Sequence, residues 1–136
     1  DATREAVSDA QIQTADNTGL KLNLALNYGG RRDILDATRR LAQDVIDGKH
    51  TVDEIDETLY ESYLYTAGLP DPDLLIRTSG EMRISNFLLY QLAYTEITVS
   101  PVFWPEFSRK HFYEAILEYQ RRERRFGRTG AQIEQE

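Results

Sequence analysis

Cysteine is absent from these 136 residues, which excludes disulfides and thiolate metal sites. A cytosolic location is thereby permitted rather than established. Histidine is scarce: His50 and His111 stand too far apart for metal-ligand spacing and read as surface or helix residues. No apolar run approaches the roughly 20 residues of a membrane-spanning helix. The glycine patterns of nucleotide-binding folds, Gly-x-Gly-x-x-Gly and the P-loop glycine–lysine pair, are also missing. So are repeats and low-complexity stretches. Positive charge is in the minority, with 16 Lys and Arg against 23 Asp and Glu, and the net charge of −7 argues against a general affinity for nucleic acid. Arginine is nevertheless clustered at 31–32, 39–40 and 121–125, so local positive sites can exist on an acidic body.

What is present fits one domain able to bury a sizeable core. Residues 1–15 carry Ala6, Val7, Ala10 and Ile12 as a thin apolar stripe at helical spacing, stopped by Asp16-Asn17-Thr18-Gly19. The front of that helix is missing from the sequence, so the chain is expected to be a piece of a longer protein. Leu20, Leu22, Leu24 and Leu26 alternate with Lys21, Asn23, Ala25 and Asn27, the pattern of a strand. Tyr28-Gly29-Gly30 then turns the chain into a helix opened by Arg31-Arg32-Asp33, with Ile34, Leu35, Leu41, Ala42, Val45 and Ile46 as its face and Gly48 as its end. Thr51-Val-Asp-Glu54 has the form of a capping box for a second helix bearing Ile55, Leu59, Tyr63 and Leu64. Glu96 to Val99 reads as another strand, and Ser108 caps a last helix with Phe112, Ala115, Ile116 and Tyr119 inward.

One stretch organises the rest. Leu74, Leu75 and Ile76 form a short apolar run between a proline-rich loop and Gly80, the signature of a strand buried on both faces. Ser79-Gly80 turns, and from Ser85 the residues Phe87, Leu88, Leu89, Leu92 and Ala93 suggest an apolar helix. The turn carries Arg77, Ser79, Arg83 and Ser85. Free N–H groups at a helix start favour an anion, and two guanidiniums add bidentate donors suited to phosphate oxygens. The competing reading pairs Arg77 and Arg83 with Glu81 and other acids on a solvated loop. The element order is that of an α/β protein with an open, mostly parallel sheet flanked by helices, incomplete at its N-terminus. Both glycine turns then follow strand C-termini, where ligands of such sheets bind, and are expected to face one crevice.

The stretch Leu75-Ile-Arg77-Thr-Ser-Gly-Glu81-x-Arg83-x-Ser85-Asn-Phe-Leu-Leu-x-Gln91-x-x-Tyr94-x-Glu96 resembles the signature of the cis-prenyltransferases, the family of the bacterial undecaprenyl diphosphate synthases. Asn27-Tyr-Gly-Gly-Arg31, Trp104-Pro105 and Arg124-Arg125-Phe126-Gly127 are similar to the same family. The resemblance covers nearly the whole chain, but only the rear half of the family's usual sequence. It implies that residues 1–136 are the C-terminal part of a single cis-prenyltransferase domain, with 129–136 as a flexible tail.

The resemblance further implies condensation of isopentenyl diphosphate with an allylic diphosphate such as farnesyl diphosphate, giving a polyisoprenoid lipid carrier. Arg77, Arg83 and Ser85 match positions that hold the diphosphate of isopentenyl diphosphate. Arg125 and Gly127 match a C-terminal element that reaches a neighbouring subunit's diphosphate, and Glu96 matches a magnesium position. On residue chemistry alone Glu96 reads equally as a solvated acid at a strand start, and 121–128 as a cationic helix end. Arg31 either touches phosphate or starts a surface helix. A homodimer, Mg2+ and a cytoplasmic site with peripheral membrane contact through the lipid product are implied as well. One departure stands out. The family's His-x-x-Asp-Gly-Asn-x-Arg-Trp motif, source of its main metal carboxylate, has no match here, so no catalytic residue is expected in this chain and the chain alone is expected to be inactive. A non-catalytic, dimerising subunit of a prenyltransferase complex is the alternative reading.

Overall fold

The computed structural model describes residues 2–122. Its elements are α1 (Ala2–Thr14), α2 (Gly30–Ile46), a 3-10 turn (Val52–Glu54), α3 (Glu57–Glu61), β1 (Leu74–Arg77), β2 (Glu96–Val99), a second 3-10 turn (Trp104–Glu106) and α4 (Arg109–Gln120). The strands are parallel, with Leu74 opposite Glu96 and Arg77 opposite Val99. Helices flank this sheet in an α/β arrangement: α4 packs on β2, and α3 packs on α2. The connection from β1 to β2 runs through residues 78–95.

α2 places Gly30, Asp33, Ala37 and Leu41 on one buried stripe at the three- and four-residue spacing of a helix face. Leu35 and Ile46, expected on that face, are exposed instead. The reason is that the inner stripe is centred on Asp33 and Ala37, about a third of a turn from the one the aliphatic residues suggest. Leu64 and Ala115 complete the small buried apolar set. The capping box at Thr51 and Glu54 is made, but it closes the 3-10 turn; α3 starts later, where the Asp56 carboxylate accepts from Leu59 N at 2.8 Å. Ser108 does cap α4, its N–H donating to His111 Nδ1 at 3.0 Å. Phe112, expected inward, is exposed.

Two expected elements are not formed. Leu20, Leu22, Leu24 and Leu26 lie in an irregular segment and are between 61 and 94% exposed. A strand exists only where a neighbour takes up its N–H and C=O groups, and β1 pairs with β2 alone among the described residues. The apolar run from Ser85 is a succession of turns rather than a helix. Ser85, Asn86 and Leu88 have φ of 50°, 63° and 45°, a left-handed backbone that a right-handed helix cannot contain.

Candidate functional site

Arg77 is the last residue of β1, and the chain turns immediately after it. Ser79 and Gly80 both have positive φ, 66° and 65°, the pattern of a type I′ turn. The turn N–H groups are not available to an anion: Ser79 N donates to Val102 O at 2.9 Å and Gly80 N to Ser100 O at 2.9 Å. Ser100 N in turn donates to Arg77 O at 2.7 Å, so the pairing of the strands continues past their ends. The expectation of a helix start presenting free amides is therefore corrected. What remains for an anion at this turn is side-chain charge.

That charge lines a cavity of about 280 Å³. Arg77 shares it with Glu81, Met82, Arg83 and Ile84, over a floor of Leu75, Ile97 and Val99 from one face of the sheet. The two arginines differ. Arg83 is paired with Glu81. Arg77 forms no salt bridge among the described residues, and its buried Nε has no hydrogen-bond partner. A buried guanidinium N–H without an acceptor is costly, and a bound oxyanion would remove the cost. Ser85 is two residues beyond Arg83, exposed, and outside the set that lines the cavity.

Glu96 lies elsewhere. Its register partner is Leu74, three residues before Arg77, which is about 10 Å along the ladder, and it belongs to the opposite face of the sheet. There Arg122 holds it: Nη1 donates to Glu96 Oε2 at 3.0 Å and to Ile97 O at 3.0 Å, while Nη2 donates to Thr98 Oγ1 at 3.0 Å. Among the described residues no group of three His, Cys, Asp or Glu side chains converges on a point. Arg125 and Gly127, and the tail 129–136, lie outside the described residues.

The two glycine turns, expected to face one crevice, do not share a cavity: Arg31 lines a different one from Arg77, and the Tyr28-Gly-Gly-Arg31 turn meets the loop at Asn86 instead. Gly30 N donates to Asn86 O at 2.7 Å, and Arg31 N donates to Asn86 Oδ1 at 2.9 Å. The Arg31 side chain is exposed, beside Asn86 and Leu89 in a smaller cavity of about 210 Å³. Beneath this junction lies a group to which the sequence reading gave no role. Asp33 is only 1% exposed, and its carboxylate accepts from Tyr28 Oη at 3.0 Å, Tyr65 N at 2.9 Å and Gln91 Nε2 at 3.3 Å. Gln91 also donates to Thr66 Oγ1 at 2.9 Å. The Asp33, Ala37, Leu41 spacing was the available signal, since it sets a carboxylate in line with two apolar residues on one helix face. Arg122 carried no such signal.

Burial, followed by the hydrogen bond to Asp33 and its charge, pushes the Tyr28 phenol up to about 12. The folded state thus favours the neutral phenol. Its contribution to stability is complete below the unfolded value near 10 and is lost as pH rises from there through about 12. A 295 nm titration of Tyr28→Phe should lack one late-ionising tyrosine, and its alkaline loss of stability should be shallower. Superimposable titrations of the two proteins would refute this.

A parallel α/β sheet with a guanidinium-lined cavity at a strand's C-terminal end defines an α/β protein with a candidate oxyanion site. Comparison makes the class specific. Residues 1–127 match the family described as "Putative undecaprenyl diphosphate synthase". An isoprenyl transferase of Geobacter sulfurreducens is 58% identical over 95% of this chain and 52% of its own length. A tritrans,polycis-undecaprenyl-diphosphate synthase (geranylgeranyl-diphosphate specific) of Thermoplasma volcanium is 56% identical over 92% of this chain and 48% of its own. Among solved structures, lavandulyl diphosphate synthase from Lavandula x intermedia, in complex with dimethylallyl diphosphate, has a TM-score of 0.87. It is 41% identical, over 91% of this chain and 53% of that one. A probable undecaprenyl diphosphate synthase from Campylobacter jejuni has a TM-score of 0.75 and 34% identity, over 94% and 57%. The chain belongs to the undecaprenyl diphosphate synthase family of prenyltransferases, and it spans about half the length of the curated relatives it matches.

Proposed function

We propose that the protein to which this chain belongs is a cis-prenyltransferase, condensing isopentenyl diphosphate with an allylic diphosphate such as farnesyl diphosphate to build a polyisoprenoid carrier. The observation that carries this reading is Arg77: a guanidinium at a strand end, facing a cavity, with a buried donor left open. Arg77 and Arg83 hold the diphosphate of isopentenyl diphosphate, Arg83 exchanging Glu81 for phosphate oxygens. Ser85, exposed on the same loop and outside the cavity's own lining, adds a hydroxyl from its rim, and Arg125 and Gly127 serve a neighbouring subunit's diphosphate in a homodimer. A purely structural subunit would have no need of an unpaired guanidinium at this place, which weighs against the non-catalytic alternative. The enzyme is cytoplasmic and touches the membrane through its product; among the described residues no helix is long and apolar enough to cross one.

Glu96 fits magnesium as a single carboxylate ligand. Arg122 holds Oε2, and Oε1 has no hydrogen-bond partner among the described residues, while substrate oxygens and water commonly supply the other positions. Its distance along the ladder from Arg77 means that further ligands come from groups outside the Arg77 cavity. When bound, the ion supplies charge stabilisation to a departing diphosphate. The chain's own residues bind and orient the acceptor substrate.

Arg77→Ala in the full-length protein should weaken isopentenyl diphosphate binding by about 1.5–3 kcal/mol, the worth of one hydrogen bond to a charged group, with the fold intact. Titration calorimetry beside a thermal melt measures both quantities. Unchanged affinity in a folded variant rejects the site.

A further inference from the structure

We propose that Asn86 is a positioning residue for the diphosphate site, its clasp on the start of α2 holding Ser85 in the left-handed loop. The inference rests on the reading of Ser85 as a diphosphate ligand.

Three of the four residues from Ser85 to Leu88 have positive φ, and none is glycine. Such backbone persists only where its surroundings over-determine it. Here the surroundings are the Tyr28-Gly-Gly-Arg31 turn. Asn86 accepts from it twice, through its main-chain oxygen from Gly30 N and through Oδ1 from Arg31 N, two residues 55 and 56 positions away in the chain. The glycine pair is shaped to receive the loop. A Cβ on Gly29 would stand 2.9 Å from Asn86 Nδ2, and one on Gly30 would stand 2.9 Å from Leu89 N and 2.8 Å from Leu89 Cγ. Asparagine is also among the few non-glycine residues that enter the left-handed region readily. Asn86 therefore does three things together: it tolerates the turn, caps the helix and ties the loop to a rigid element. Ser85 precedes it directly, and Arg83 lies two residues earlier on the same loop.

If Asn86 were only a helix cap, its loss would lower stability and leave ligand affinity alone. The positioning role is tested in the full-length protein with isopentenyl diphosphate as the titrant, comparing Ser85→Ala, Asn86→Ala, Asn86→Gly and the double variant Ser85→Ala/Asn86→Ala, each with a thermal melt. Asn86→Gly keeps the backbone free to adopt the left-handed φ, so its loss reports the missing side-chain acceptor even where Asn86→Ala folds poorly. The expected result is a loss of about tenfold in affinity for both Asn86 variants, with the double variant no weaker than Ser85→Ala alone, as for residues that act through one another. Gly30→Ala, which pushes the loop from the other side, should reproduce the loss with Asn86 unchanged. Affinity unaltered in folded Asn86 variants, or a loss that multiplies in full with that of Ser85→Ala, overturns the proposal. Ser85→Ala with wild-type affinity overturns the underlying reading of Ser85 as well, so the two failures are told apart.

Discussion

Purified by itself, the 136-residue chain should incorporate no labelled isopentenyl diphosphate into butanol-extractable product, with magnesium and farnesyl diphosphate supplied. Elongation requires an allylic diphosphate to leave, and the charge developing on it must be met by a metal ion and preorganised donors. On the proposed reading Glu96 is the one acid that serves a metal, and no aspartate in this sequence stands in an Asp-Gly-Asn setting. On the same reading the arginine cavity beside β1 takes the acceptor's diphosphate alone, and Glu96 is on the other face of the sheet. Removing electrostatic groups of this kind typically costs ~100- to 1000-fold each, and several are missing together. Turnover above a no-enzyme blank would refute the expectation and transfer catalysis to residues assigned here to binding.

Replacing Asp33 with alanine should destabilise the fold by about 3–5 kcal/mol, a large effect for a single side chain. The variant strands three donors: the Tyr28 hydroxyl, the Tyr65 amide and the Gln91 side-chain amide. A buried donor left without an acceptor costs about 1–3 kcal/mol. The sum stays below three full penalties because Tyr28 and Tyr65 are near enough to the surface to recruit water. Asp33→Asn should cost less, about 1–3 kcal/mol, since it preserves volume and one acceptor oxygen while pointing a donor at donors. Urea unfolding followed by circular dichroism decides the matter. An alanine variant within 1 kcal/mol of the parent, on the scale of a surface change, would show that the network is not what joins α2 to the segments around Tyr65 and Gln91.

Short-range patterns were reliable where a segment answers to its own neighbours. Leu74–Arg77 and Glu96–Val99 are strands as their apolar content required, α2 and α4 begin where Gly30 and Ser108 indicate, and Arg77 stands at a strand end beside a turn. That much, with the resemblance of the Leu75–Glu96 stretch to a family, was determined by the sequence alone. Its periodicity failed where the decisive partner is remote. The leucines from 20 to 26 alternate as a strand does, yet alternation records only which side chains would be buried if a ladder existed. The run from Ser85 has the composition of a helix, but hydrogen bonds from Gly30 and Arg31 hold Asn86 in a backbone that no helix allows. Asp33 stood in the sequence only as one of three charged residues opening a helix, and became the buried acceptor of three donors only because residues 65 and 91 close over it. Arg122 looked like one cation in a basic run, and packing made it the clamp on Glu96. Tertiary structure alone decided these, because a hydrogen bond or a left-handed turn is stabilised by whichever group arrives to complete it, and the groups that arrived came from tens of residues away.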